Sequence, residues 1–139
     1  MKFRFLLPCA ACLLYLITLG ACQTKGDFKE LIKDVESYHR DLIFERYEIA
    51  SKNITPKQRA TWLEAMQSQN IHFAEIEIMS TSPCDITETV EEEDKDMCAV
   101  IESQMQWFVN GSPSVQSKRV KSTWEYNKEE KSWFIVEQE

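Results

Sequence analysis

Met97-Cys98-Ala99-Val100-Ile101-Glu102-Ser103-Gln104-Met105-Gln106-Trp107-Phe108-Val109 is the stretch that decides the fold class. Met97, Ala99, Ile101, Met105, Trp107 and Val109 share one side of an extended chain, and Glu102, Gln104 and Gln106 share the other. A period of two marks a strand with one buried face, because successive side chains of a strand point to opposite sides. Asn110-Gly111-Ser112-Pro113 follows as a hairpin signal. Val120, Ser122, Trp124 and Tyr126 then alternate against Arg119, Lys121, Thr123 and Glu125. Asn127 to Lys131 turns the chain again, and Trp133-Phe134-Ile135-Val136 reads as a last, largely buried strand. Upstream, Ile71 to Ile78 also alternates, with its apolar phase slipping between Phe73 and Ala74, a slip that a β-bulge accommodates.

The chain before Ile71 has a different period. Phe28, Leu31, Ile32, Val35, Tyr38 and Leu42 recur with helical spacing. Asp27 and Glu30 form a capping pair at the start, which predicts a helix from Asp27 to about Ala50. Its polar face carries Lys29, Glu30, Lys33, Glu36 and Arg40, with Glu36 and Arg40 four apart as an ion pair. Ser51 to Ile54 is a break. Thr55-Pro56-Lys57-Gln58 opens a second helix, with Thr at the N-cap, Pro at the first helical position and Gln three residues after the cap. Ala60, Trp62, Leu63 and Met66 are its apolar members, and it should end near Asn70. Helices followed by strands predict an α+β domain over residues 27–139, with N-terminal helices packed on a curled antiparallel sheet of about four strands.

Composition agrees with one modest core in a chain of 139 residues. Four Trp, four Tyr and seven Phe exclude a disordered chain, and three glycines exclude a collagen-like one. The net charge of −7 disfavours nucleic acid as a partner, because phosphates need Lys and Arg to neutralise them. It also disfavours adsorption to anionic lipid by charge alone.

The amino terminus carries the most specific motif. Lys2 and Arg4 precede a nearly continuous apolar run from Phe5 to Leu19. At about 15 residues this is short of the ~20 of a membrane span and has the length of a secretory h-region. Leu19-Gly20-Ala21-Cys22 then resembles the lipobox of bacterial lipoproteins. The resemblance implies a signal peptide over residues 1–21 and acylation of the Cys22 thiol by diacylglycerol. Cleavage would fall just before Cys22, and the new amino terminus would be acylated in turn. Cys9 and Cys12 each follow a poor box and lie too early in the h-region to compete. Two or more acyl chains anchor a protein stably where one does not, so the expected partner is a lipid bilayer. Gln23, rather than Asp, after the acylated residue leans, by the same resemblance, to the periplasmic face of the outer membrane. Residues 22–26 would be the lipidated Cys and a short tether.

An oxidising envelope also suits the remaining cysteines. Cys84 and Cys98 read as one disulfide. It closes a loop of about 15 residues and is worth ~3 kcal/mol in the chain-entropy model; two unpaired thiols are the alternative. No His lies near either Cys and the spacing is not that of a zinc ribbon, so neither a metal nor another cofactor is expected.

Helices first, long strands joined by hairpins, and a closing Lys131-Ser132-Trp133-Phe134-Ile135-Val136 resemble the cone-shaped fold of ketosteroid-isomerase-like and nuclear-transport-factor-two-like proteins. A cystatin-like layout of one helix across four strands is the near rival. The cone often encloses a pocket, and Tyr38, Met105, Trp107 and Trp124 are the candidates to line one, with core packing as their plainer role. An isomerase of this class needs carboxylates in an apolar cavity, whereas Glu102 and Glu125 fall on the opposite face. His39 and His72 read as solvated surface groups. No phosphate loop or nucleophile elbow is present, so no catalytic residue and no enzyme are expected. Asp85, Glu88, Glu91, Glu92, Glu93, Asp94 and Asp96 crowd the segment before Met97 against Lys95 alone. That segment reads as a solvated loop, a dock for a basic envelope protein, or a cation site without EF-hand spacing. Three functions remain in order: a non-enzymatic envelope lipoprotein that binds a partner, a carrier of a small apolar ligand, and a small isomerase-like enzyme.

Overall fold

The computed structural model describes residues 28–84 and 98–139. Cys22 with its motif and the acidic stretch 85–97 lie outside the described residues. The first helix, α1, spans Phe28–Ile43 and buries Leu31, Val35, Tyr38 and Leu42 on one stripe. It stops seven residues short of the expected Ala50. The stop is a Schellman turn. The Arg46 N–H reaches back to the Asp41 carbonyl at 2.8 Å and the Glu45 N–H to that of Leu42 at 3.1 Å, with Glu45 in the left-handed region at φ 56°. The Arg46 guanidinium also pairs with the Asp41 carboxylate at 2.6 Å, which offsets the burial of that carboxylate.

A single turn, α2 (Tyr47–Ala50), and a 3-10 turn (Ser51–Asn53) lead to α3, Pro56–Ser68. Thr55 and Pro56 start α3 as expected, but the Thr55 hydroxyl donates to Gln58 Oε1 at 3.0 Å rather than capping a backbone N–H. Arg59 does the tying instead. Its guanidinium donates to the carbonyls of Ser51 (2.9 Å), Lys52 (3.3 Å) and Ile54 (3.2 Å), the first of which also accepts the Ile54 N–H.

The sheet has four antiparallel strands in sequence order: β1 (Ile71–Pro83), β2 (Cys98–Val109), β3 (Val115–Asn127) and β4 (Ser132–Gln138). β2 alternates as read, with Ala99, Ile101 and Met105 buried. The bulge expected in β1 is present between Phe73 and Glu75, and a second irregularity falls between Ile78 and Ser80. The hairpin from β2 to β3 turns at Gly111, whose φ of 85° suits a residue without Cβ. The disulfide joins Cys84 to Cys98 with Cα atoms 5.5 Å apart, closing the β1 end of the sheet onto the start of β2.

α1 crosses the inner face of this curled sheet obliquely. Asp34 meets the Trp133 backbone on β4, Tyr38 packs on Trp124 of β3, and His39 approaches Ser103 of β2. Near its end, Ile43 shares a cleft with Ile76 of β1. The chain after the 3-10 turn pairs Ile54 with Ile135 of β4 in a parallel bridge. The core is therefore a sandwich of one helix and the inward faces of β2, β3 and β4, each fully buried Leu, Ile or Val contributing ~1.5–3 kcal/mol.

Candidate functional site

The rings proposed to line a pocket are mostly packed against one another. Trp124 is 0% and Tyr38 2% exposed, and their rings meet edge to face at 5.8 Å. Met105 is buried further along β2, and Trp107 is half-buried near the strand's end. The Trp124 indole N–H donates to Ser122 Oγ at 2.9 Å, and that hydroxyl donates to the Ile101 carbonyl. These polar atoms of the core are satisfied locally, whereas the Trp133 indole N–H is buried without a hydrogen-bond partner among the described residues. Burial pushes the Tyr38 phenol far above its ordinary range despite a hydrogen bond with Trp62, which keeps it neutral.

A cleft of about 430 Å³ opens elsewhere, where the second half of α1 runs beside β1. Glu36, His39, Arg40 and Ile43 line it from the helix, at the spacing of one helical face. Ile76, Glu77 and Ile78 line it from the strand. Consecutive strand residues point to opposite faces, so all three reach one cleft only because it runs past the outer edge of the strand. His39 forms its floor, 5% exposed, with Nε2 3.5 Å from Ser103 Oγ. Loss of hydration lowers the imidazole's pKa to about 4, so the floor is uncharged at neutral pH. The charge sits on the rim. Arg40 donates to Ser37 Oγ at 3.2 Å, not to Glu36 as the spacing predicted, leaving Glu36 and Glu77 as carboxylates on the two walls.

A second cleft, of about 410 Å³, lies between α3 and β4. Ile54, Trp62, Ala65, Ile135 and Val136 make it largely apolar, with Lys57, Gln58 and Gln138 among its polar neighbours. None of Tyr38, Met105, Trp107 and Trp124 lines either cleft.

Both histidines correct the expectation of solvated groups. His39 lies between Val35 and Leu42 on the apolar stripe, at spacings of four and three, and that spacing was the available signal for its burial. Ser103 likewise occupies an inward position in the alternation of β2, a polar residue in an apolar series. His72 is half-buried. Its Nδ1 pairs with the Glu45 carboxylate and its ring stacks on Phe108 at 5.2 Å. No sequence pattern announces that pair, because Glu45 and His72 meet only through the turn after α1. Among the described residues no group of three His, Cys, Asp or Glu side chains is placed to hold a metal ion. No helix among them is long and apolar enough to cross a membrane.

No protein-family model matches the chain, and no curated protein matches it. Solved structures do. A SEC-C motif containing protein from Psychrobacter arcticus is similar over 81% of this chain at TM-score 0.51 and 15% identity; the match spans 60% of that protein's length. An LEH-like epoxide hydrolase of M. tuberculosis is similar over 77% of this chain and 81% of its own, at TM-score 0.50 and 15% identity. At this identity the likeness is one of fold alone. It is the α+β arrangement of helices on a curled four-stranded sheet, the cone-shaped layout that the sequence resembled.

Proposed function

We propose that this chain is a lipid-anchored protein of the cell envelope whose folded part is a non-enzymatic binding module. The observation that carries the reading is Leu19-Gly20-Ala21-Cys22 at the end of the apolar run Phe5–Leu19. Acylated Cys22 would tie the module to the bilayer, by Gln23 at the outer membrane, six residues before α1 begins at Phe28. The packed interior supports a binding role on the outside of the fold. Among the described residues, Tyr38, Trp124, Trp133 and Leu31 pack the inward side of the sheet, and two clefts lie at its flanks. The partner in this reading is a basic envelope protein, drawn by an acidic chain.

Expression of the full chain in a bacterium fed labelled palmitate tests the anchor. The wild type should take up label and sediment with membranes, and Cys22→Ala should do neither. Uptake of label by Cys22→Ala, with retention in the membrane fraction, would overturn the reading.

One observation favours a second function. The apolar cleft between α3 and β4 suits a small hydrophobic ligand, with Trp62 at its wall. It differs in place from the cone cavity that the carrier reading first implied. Saturable binding of anilinonaphthalene sulfonate that disappears in Trp62→Ala would favour that function, and binding unaffected by the substitution would count against it.

A further inference from the structure

We infer that the cleft beside β1 receives an extended, basic segment of a partner protein, which pairs with the outer edge of β1 as a fifth strand. The inference rests on the binding-module reading above and supplies that module's partner class.

The first support is the edge itself. β1 heads the strand order and, among the described residues, pairs with β2 alone. Among the described residues the backbone groups on its other side have no strand partner, which is the requirement for strand addition. The opposite edge differs, since Ile54 already bridges to Ile135 of β4.

The second support is where the irregularities fall. Bulges twist an edge away and discourage pairing. The two in β1 lie between Phe73 and Glu75 and between Ile78 and Ser80. Between them Glu75, Ile76, Glu77 and Ile78 keep unbroken register with Gln106, Met105, Gln104 and Ser103. The cleft opens along Ile76 to Ile78, beside the regular run, and reaches the second irregularity only at Ile78.

The third support is the chemistry of the two walls. A strand laid between α1 and β1 would turn alternate side chains inward and outward. The inward row would meet Ile76, Ile78, Ile43 and the uncharged ring of His39, and so should be apolar. The outward row would pass Glu77 of the strand, while Glu36 lines the cleft from the helix on the inward side. Arg40 lines the same cleft and keeps its charge beside the neutral Ser37 hydroxyl, so the two carboxylates Glu36 and Glu77 outnumber the one cation. Opposite charges across neighbouring strands attract, so the outward row should carry Lys or Arg. The fitting segment alternates basic and apolar residues.

The probe is a fluorescein-labelled peptide of alternating Lys and Val, four Lys and three Val, titrated with the full lipidated chain in nonionic detergent and followed by anisotropy. Saturable binding is expected, several-fold weaker in 0.5 M NaCl and at least tenfold weaker for the Glu-Val peptide of the same length. The double variant Glu36→Gln, Glu77→Gln should weaken binding about tenfold with its melting temperature unchanged. Hydrogen exchange should slow at the amides of Ile76 to Ile78 on binding. No saturable binding, binding indifferent to the double substitution, or slowed exchange confined to another element would each overturn the inference. Concentration-dependent dimerisation that slows the same amides without peptide would overturn it in favour of a second copy at the edge. Loss of peptide binding with palmitate labelling intact removes this site and leaves the anchor standing. Slowed exchange elsewhere removes this site and leaves a binding module.

Discussion

α1 and α3 are helices of similar length with opposite relations to the core. Of the 16 residues of α1, Leu31, Val35, Tyr38, His39, Asp41 and Leu42 are buried; of the 13 of α3, none is. α1 lies across the inward faces of three strands, so its stripe is covered along its length. α3 stands at the flank. Trp62 touches Tyr38 at 6.1 Å and Met66 packs against the core from outside, while Arg59 holds the preceding turn by three carbonyls. Helical spacing of apolar residues thus announces a helix in both places. It does not say whether anything lies opposite to cover them.

Substitutions can break this contrast. Leu42→Ala should cost ~3 kcal/mol, within the range for a fully buried leucine, whereas Met66→Ala in α3 should cost less than half of that. Urea unfolding of both variants measures the difference, and equal losses would mean that α3 is as much a part of the core as α1.

The pH dependence of α1 is next in size. His39 has a pKa of about 4 in the folded chain, lowered by burial, against ~6.5 when unfolded. Between those values the unfolded chain takes up a proton that the folded chain refuses. Stability should therefore be whole above ~6.5 and fall as pH drops toward 4, by up to ~3 kcal/mol. Burial raises the pKa of Asp34, which acts in the opposite sense and favours the folded chain as pH falls. Subtracting the stability curve of His39→Gln from that of the wild type isolates the histidine. A difference that stays flat from pH 6.5 to 4 would place the imidazole in solvent.

The smallest effect belongs to the start of α3. Loss of an N-cap hydroxyl usually costs ~1 kcal/mol. Thr55 bonds the Gln58 side chain and no backbone N–H, so Thr55→Ala should shift stability by only a few tenths. A loss near the usual value would show that the hydroxyl caps the helix in solution.

Much of the fold was legible because local patterns carried it. The alternation around Ile101, the Asn110–Pro113 turn and the phase slip after Phe73 placed strands, a hairpin and a bulge where the structure has them. Paired cysteines became the Cys84–Cys98 bond. The end of α1 was not legible. Glu45 adopts the left-handed conformation that Gly usually signals, and the hydrogen bonds of the turn and the Asp41–Arg46 pair hold it there. The flank clefts were not legible either, since the walls of the one beside β1 come from residues 36–43 and 76–78, far apart in sequence.

The sequence by itself determined the order and type of the elements, the face each strand buries and the lipobox motif, because periodicity, turn chemistry and short motifs act over a few neighbouring residues. Only the tertiary structure decided that α1 rather than α3 joins the core, that His39 is buried beside Ser103, and that Glu36 and Glu77 line one cleft. Those outcomes depend on how α1 is laid across the curled sheet. Its angle is set by side chains from several strands packing at once, a condition that no local stretch contains.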